Sequence, residues 1–378
     1  MSIAKLDAVD WTAERHAAMV WSAIAEGADL EASCLVQQFG YVRALEIVQN
    51  NDLAHATQKA LWRWRARLQD ARFESLERYQ QRGYTLVLRG DECWPIGLED
   101  LGEQRPLCLW VRGDPQILQC RMLGIVGSRD ATSSGERAAL DLAYQLAGEY
   151  LIVSGGAYGI DAQAHRGALL ADQPTVIVSA AGVDRVYPKS NAQLFAQCIE
   201  NGGAIVSESI PGAEPQRFRF LLRNRIIAGI SKALVVVEAG VRSGALNTAR
   251  HALEIGREVG AYPGSVHSPQ HQGTNQLIRN GATLVMNAQH VRELIAPIGA
   301  ELQTGVALEY DGGFALPLEN EFDLLTDRIY DVLSKTHFES AETISRRVGA
   351  DVVSVRMKLS RLALAGKIAQ KEGKWRKA

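Results

Sequence analysis

The chain is poor in cysteine, with five among 378 residues (Cys34, Cys93, Cys108, Cys120 and Cys198). No two of them are close enough for a zinc knuckle or a C-x-x-C redox pair, so free thiols in a reducing compartment are expected. Long apolar runs are also missing. None approaches the roughly 20 residues that cross a bilayer. The N-terminus lacks the basic-then-apolar order of a secretory signal, so a cytoplasmic location without membrane association is expected. An excess of one charge is missing too: 41 Lys+Arg against 43 Asp+Glu leave a formal charge of −2. Any surface for nucleic acid must therefore be a local basic patch. Neither G-x-G-x-x-G nor G-x-x-x-x-G-K-[ST] occurs, which removes the usual dinucleotide fingerprint and the nucleoside-triphosphatase loop.

Glycine, by contrast, is abundant at 34 residues against 11 prolines, and 47% of the chain is hydrophobic. The length predicts two or three domains. Residues 1–82 read as short helices, with a break at Phe39-Gly40. Lys59 to Arg82 carries seven basic residues, best explained as a solvated helix face. Tyr84–Leu88 and Pro106–Val111 are expected strands. From about 121 to 296, short apolar runs recur at Leu123–Val126, Leu151–Val153, Val176–Val178, Ala204–Val206, Leu234–Val237, Val259–Ala261 and Thr283–Val285. Helical stretches such as Ser134–Ala147, Ile160–Leu170 and Leu246–Ile255 separate them. Continuous apolar strands alternating with helices predict a doubly wound, mostly parallel α/β sheet over 83–296. Glycines and prolines from Pro297 to Pro317 predict a linker over 297–318. Residues 319–378 predict three helices (Phe322–Leu333, Ser340–Val348, Ser354–Ala365) and a small hairpin, a winged helix-turn-helix pattern.

The candidate site residues cluster where strands end. Ser154-Gly155-Gly156-Ala157-Tyr158-Gly159 follows one strand and opens a helix, so its backbone N–H groups suit a phosphate-sized anion. Asp161 reads as a helix-capping residue there. Gly127-Ser128-Arg129 ends another strand, and strand ends on one edge of such a sheet converge on the ligand crevice. A third loop carries Arg185, Tyr187, Pro188, Lys189 and Asn191. Tyr187 is placed either to stack on a base or to pack the loop. Pro215 to Lys232 holds Arg217, Arg219, Arg223, Arg225 and Lys232, with Phe218 and Phe220 interleaved and no acidic residue. Such a stretch suits a stacking, backbone-tracking surface for single strands, or else a core helix whose arginines pair with Glu208 or Glu238. Ser243-Gly244 opens a second anion-suited helix. Glu238 is a lone carboxylate at the ligand edge, weak grounds for hydrolysis. His267 and His271 straddle Pro269 and have no carboxylate partner for zinc, so no metal and no cofactor are assigned.

Together these stretches resemble the DNA-processing protein A (Smf) family of bacterial natural transformation. The resemblance rests on GSR at 127–129, SGGAYGIDAQAH at 154–165, AGVDRVYPKSN at 181–191 and SESIPGAEP at 207–215. It continues in FRFLLRNRIIAGISKALVVVEAGVRSGALNTA at 218–249, YPG at 262–264 and GTNQLIRNGA at 273–282. It implies a Rossmann-like domain that binds single-stranded DNA without strong sequence preference, forms a homodimer, and shields incoming DNA while helping to load RecA recombinase. It implies no enzymatic turnover. Carried over, Arg129, Lys189, Arg223 and Arg225 are backbone contacts, and Gly155, Gly156 and Gly159 line the pocket. Ser128, Ser154, Asn191, Arg217, Phe218, Asn224, Ser243 and Gly244 complete the DNA-binding set. Tyr158 stands where members often carry a basic residue. The flanks resemble the family's sterile-alpha-motif (SAM-like) helical domain and its winged helix.

In the tail, Arg356, Lys358, Arg361 and Lys367 are candidate contacts to duplex DNA or to a protein partner. The competing reading is a nucleoside-monophosphate phosphoribohydrolase on the same fold, with Glu238 or Glu208 as acid–base group. Its usual P-G-G-x-G-T-x-x-E helix start is not matched here, since no Glu follows the 238–244 loop.

Overall fold

The computed structural model of the chain describes residues 14–296, 329–330, 332–334, 337–348, 350–364, 368–371 and 373–377, without the side chains of Arg361 and Leu364. The expected linker at 297–318 and most of the helix expected from Phe322 lie outside the described residues. The chain divides into two compact units, Met1–Leu302 and Gln303–Ala378.

The first unit opens with four helices, α1 (Glu14–Ile24), α2 (Leu30–Gln49), α3 (Gln58–Asp70) and α4 (Leu76–Gln81). Helix α2 kinks at Gly40, as the Phe39-Gly40 break implies. Asp29, Thr57 and Ser75 accept hydrogen bonds from the first turns of α2, α3 and α4, which fixes where each begins. Trp21 and Trp64 meet edge to face in their core, ring centroids 5.2 Å apart. That core is continuous with the sheet: Trp110, Cys108, Ile177, Ile205 and Phe195 belong to the same buried cluster. The Trp110 indole donates to Ser22 of α1 at 3.0 Å.

The sheet has nine strands: β1 (Tyr84–Leu88), β2 (Cys108–Gly113), β3 (Met122–Val126), β4 (Leu151–Ser154), β5 (Thr175–Val178), β6 (Ala204–Ser207), β7 (Ala233–Val236), β8 (Glu258–Ala261) and β9 (Thr283–Leu284). Their order is β1-β2-β6-β5-β4-β3-β7-β8-β9. Strands β3 to β9 are parallel, and β1 and β2 add an antiparallel margin against β6. Each strand from β3 to β9 falls within two residues of its apolar run. The reason is burial on both faces: β3 to β7 have every residue buried. One face is covered by α5 (Ser133–Leu146), α6 (Ile160–Leu170), α7 (Ala192–Glu200) and the N-terminal helices. On the other face lie α8 (Arg217–Ile230), α9 (Gly244–Glu254) and the short helix Ile96–Gln104. Two further helices, α10 (Gln272–Arg279) and α11 (Ala288–Ile295), flank β9 in sequence.

The second unit pairs β10 (Glu339–Ser340), β11 (Ile368–Lys371) and β12 (Lys374–Lys377) antiparallel in the order β10-β12-β11. Helices α12 (Ala341–Val348) and α13 (Val352–Leu364) bury Ile344, Val348, Val355, Leu359 and Leu362 against Ile368 and Trp375. Among the described residues, no helix is long and apolar enough to cross a membrane.

Candidate functional site

Strand order reverses about β3, with β4, β5 and β6 on one side and β7, β8 and β9 on the other. Such a reversal leaves a crevice outside the carboxyl ends of the strands. The backbone stitches those ends together. The Ser128 N–H donates to the Glu238 carbonyl at 2.7 Å, and the Ile160 N–H donates to the Ser128 carbonyl at 3.1 Å. Gly159, at the start of α6, has φ +67°. A Cβ there would lie 2.3 Å from the Ser128 carbonyl oxygen, so only glycine lets the two turns approach this closely. Ser154 is fully buried and donates to the Ile125 carbonyl at 2.6 Å, a structural use of its hydroxyl.

The third loop is tied to the same place. The buried Asn191 amide donates to the carbonyls of Gly156 (3.1 Å) and Ala157 (3.2 Å), anchoring the loop beside the glycine turn. Lys189, two residues earlier, is exposed and makes no ion pair among the described residues. Arg129 is exposed as well, and its guanidinium lies over the Phe220 ring, 4.9 Å from the centroid. Phe220 in turn meets Tyr187 at 5.3 Å, tilted by 57°. Tyr187 therefore packs the loop and still presents 45% of its surface. Arg217 and Phe218 are exposed at the start of α8. The GSR turn and the 187–191 loop are thus joined beside the glycine turn through Phe220 and Tyr187, with Arg129 and Lys189 exposed on them.

Arg223 occupies a different position from the one expected of a surface contact. It is 4% exposed and lies beneath the glycine turn, donating to the carbonyls of Gly155 (2.6 Å) and Val178. A Cβ on Gly155 would meet its guanidinium at 2.4 Å, which is why that position is glycine. Among the described residues, no carboxylate forms an ion pair with Arg223, and its Nε has no hydrogen-bond partner. Burial lowers it to about 10, opposed by the attraction of Asp161 and reinforced by Arg129. Burial likewise pushes the Asp161 carboxyl up, with Arg223 pulling against it. Asp161 sits in the first turn of α6, where it accepts from the Ala157 N–H at 3.4 Å. The cation fixes the glycine turn from below and contributes a buried positive charge under the crevice.

Arg225 departs from the expectation more sharply. It is 1% exposed and forms a two-pronged pair with Glu208, at 3.0 and 2.6 Å. It is an internal brace and does not reach the edge. Its position on α8 explains this: residues 223 to 230 all face inward, and the run of arginines crosses from solvent into the core within two turns. Arg219 is held by Glu26 of the N-terminal helices at 2.9 and 3.0 Å, and Arg185 faces Glu214 at 3.2 Å and Asp184 at 3.6 Å. Asn224 is buried and donates to the Gly244 carbonyl and to Asn247, both at 3.2 Å, so it joins α8 to α9. Ser243 caps α9 by accepting from the Ala245 N–H at 3.3 Å, leaving Gly244 exposed. Tyr187 and Phe220, each open in the sequence between stacking and packing, pack against one another here. Their signal was weak, an aromatic before Pro188 and another among the arginines.

Glu238 corrects the acid–base reading. It is fully buried and accepts from the Thr132 N–H at 2.9 Å and from the Thr132 hydroxyl at 2.5 Å, with His271 Nε2 at 3.5 Å. A carboxylate so enclosed anchors the start of α5 and is not offered to a substrate. Glu208 is likewise committed, to Arg225. Among the described residues, no group of three or more His, Cys, Asp or Glu could hold a metal ion.

In the second unit, Arg356 of α13 pairs with Glu342 at 2.5 Å, and Lys358 on the same helix is half-buried and has interaction partners. The side chain of Arg361 and all of Lys367 lie outside the described residues.

The fold and this edge define an α/β protein whose sheet carries exposed cations and aromatic rings on the loops at the carboxyl ends of its strands. The family model for DNA recombination-mediator protein A matches residues 85–296, more than half of the chain. The chain belongs to that family. A relative from Mycobacterium tuberculosis, described as a DNA processing protein, is 35% identical over 376 residues, covering 94% of this chain and 92% of the relative. Among solved structures, DNA processing protein A from Streptococcus pneumoniae is 29% identical with a TM-score of 0.62, covering 74% of this chain and 97% of that one. A structure described as giving the single-stranded DNA binding mode of DNA processing protein A from Helicobacter pylori is 29% identical with a TM-score of 0.50. It covers 56% of this chain and 94% of that one.

Proposed function

We propose that the protein binds single-stranded DNA without sequence preference along the carboxyl edge of its sheet, shields the strand, and helps load RecA recombinase onto it during natural transformation. The observation that carries this reading is the run of contacts from Arg129 to Phe220 to Tyr187 beside the glycine turn, with Lys189 on the same loop exposed and without an ion pair among the described residues. Cations there neutralise phosphates and release counterions, while rings stack on any base. The single-stranded DNA named for the Helicobacter pylori protein supports the same ligand class here. Arg129, Lys189, Arg217 and Phe218 are the direct contacts in this reading. Ser128, Gly155, Gly156, Gly159, Ser243 and Gly244 line the crevice through their backbone. Ser154, Asn191, Arg223 and Asn224 hold that lining from behind, while Arg225 braces α8 through Glu208. No turnover is involved, and the chain acts in the cytoplasm as a homodimer.

The architecture belongs to the same proposal: a SAM-like domain over 1–82, a Rossmann-like domain over 83–296, a linker over 297–318 and a winged helix over 319–378. In the winged helix, α13 would face duplex DNA or a protein partner. The direct test is fluorescence anisotropy with labelled oligo-dT and mixed-sequence oligomers across a salt series. Equal affinities that fall steeply with salt are expected; binding that ignores salt would overturn the reading. A RecA filament-assembly assay on coated single strands, with and without the protein, tests the loading role.

A further inference from the structure

Helix α3 carries two tryptophans two residues apart, and they face opposite ways. Trp64 is fully buried, packs on Trp21 and donates to Asp29 at 2.9 Å. Trp62 is 74% exposed, the only tryptophan among the described residues that is not buried. Core packing therefore explains one of them and leaves the other without a structural use.

The charges on α3 divide the same way. Arg63 pairs with Asp29 at 2.8 Å, and Arg67 with Glu26 at 3.4 Å, so two cations brace the helix against the loop before α2. Lys59 and Arg65 make no ion pair among the described residues. They stand three residues before and three after Trp62, the spacing that places side chains side by side on one helix face. An exposed indole between two unpaired cations has the chemistry of a base-stacking step on a phosphate track. It is the braced side of α3 that reaches α8. Glu26, which Arg67 contacts, holds Arg219 of α8, next to the exposed Phe218.

We propose that Lys59, Trp62 and Arg65 form a second contact for single-stranded DNA, onto which a strand leaving the sheet edge continues by way of the start of α8. This rests on the sheet-edge reading. It predicts that the N-terminal helices extend the binding site without taking part in the first contact. The occupant is a nucleic-acid strand because both flanking charges are positive and the neighbouring surface of α8 is already basic and aromatic. An acidic protein segment is the other occupant such a face could take, and the test separates them.

The experiment is anisotropy on the full chain with oligo-dT of about 8 and about 30 nucleotides, one within and one beyond the usual reach of a single binding surface. Trp62→Ala and the pair Lys59→Ala/Arg65→Ala should each weaken the long oligomer about five- to twentyfold and leave the short one unchanged. The cation pair should also flatten the log–log salt slope on the long oligomer by about 1.4. Trp62→Phe, which keeps a ring, should retain most of the affinity. Long-oligomer binding equal to wild type in both variants would overturn the proposal and leave the face to a protein partner. An equal loss on both lengths would also overturn it, since Trp62 would then act on the first contact or on the fold. If Arg129→Ala/Lys189→Ala leaves the short oligomer unaffected, the sheet-edge reading fails first, and this one with it.

Discussion

The guanidinium of Arg129 lies over the face of Phe220, 4.9 Å from the ring centroid, and so joins the turn after β3 to the first turns of α8. An aromatic face holds a cation without neutralising it, which leaves the positive charge available to a phosphate. An ion pair in the same place would cancel it. The contrast with Arg225, fully committed to Glu208, shows how one basic stretch of sequence serves both binding and bracing.

Removing the free cations should act on the salt dependence before anything else. Arg129→Ala and Lys189→Ala are each expected to lower affinity alike for all sequences and to flatten the log–log salt slope by about 0.7, or about 1.4 together. Phe220→Ala should weaken binding and, combined with Arg129→Ala in a double-mutant cycle, show a coupling of about 0.5–1 kcal/mol. Anisotropy titrations between low and moderate salt measure both quantities.

Gly159→Ala tests the close approach of the two turns. The backbone is at φ +67°, and the added Cβ would meet the Ser128 carbonyl at 2.3 Å. A loss of about 1–3 kcal/mol in urea unfolding is expected, together with weaker strand binding. Gly148→Ala, where a Cβ meets open space, is the control and should be near neutral.

His165 governs part of the acid response. Its Nδ1 lies 2.7 Å from the Thr175 hydroxyl, which itself donates to the Ile152 carbonyl at 2.7 Å. Nδ1 therefore carries the proton, and the buried Nε2 has no hydrogen-bond partner among the described residues. Burial, with the charge of Arg223 added, lowers its pKa from the ordinary 6.5 to about 3. The unfolded chain then binds a proton between these values while the folded chain does not. The stability from this group is present above pH 6.5 and is lost as pH falls toward 3, by up to about 4 kcal/mol. His165→Gln should remove that portion of the slope in unfolding curves taken between pH 7 and 4.

Breaking the Arg225–Glu208 brace should cost stability and leave chemistry at the edge intact. Arg225→Ala strands a nearly buried carboxylate and is expected to destabilise the fold by about 3–5 kcal/mol. At a temperature where the variant remains folded, its oligo-dT affinity should match wild type. A large affinity loss with unchanged stability would place Arg225 at the DNA instead.

Much of this architecture was legible because two-sided burial writes itself into composition. The apolar runs from Leu123 to Val285 are strands buried on both faces, and a run of that kind has few alternatives. The glycine turn and the GSR turn were readable for a related reason, since a backbone that must approach another backbone closely excludes side chains. The fate of each arginine was not readable. Arg217, Arg219, Arg223 and Arg225 share one helix and one composition, yet they end in solvent, on Glu26, under a glycine turn and on Glu208.

Periodicity told which segments are helices and strands and in what order they alternate, because local pattern and burial are coupled along the chain. It also marked the strand ends where an anion-suited turn forms. What the tertiary structure alone decided is which cation remains free. That depends on whether a carboxylate distant in sequence, such as Glu26 or Glu208, arrives within reach. An ion pair is a property of separation in space, and no local pattern along the chain encodes it.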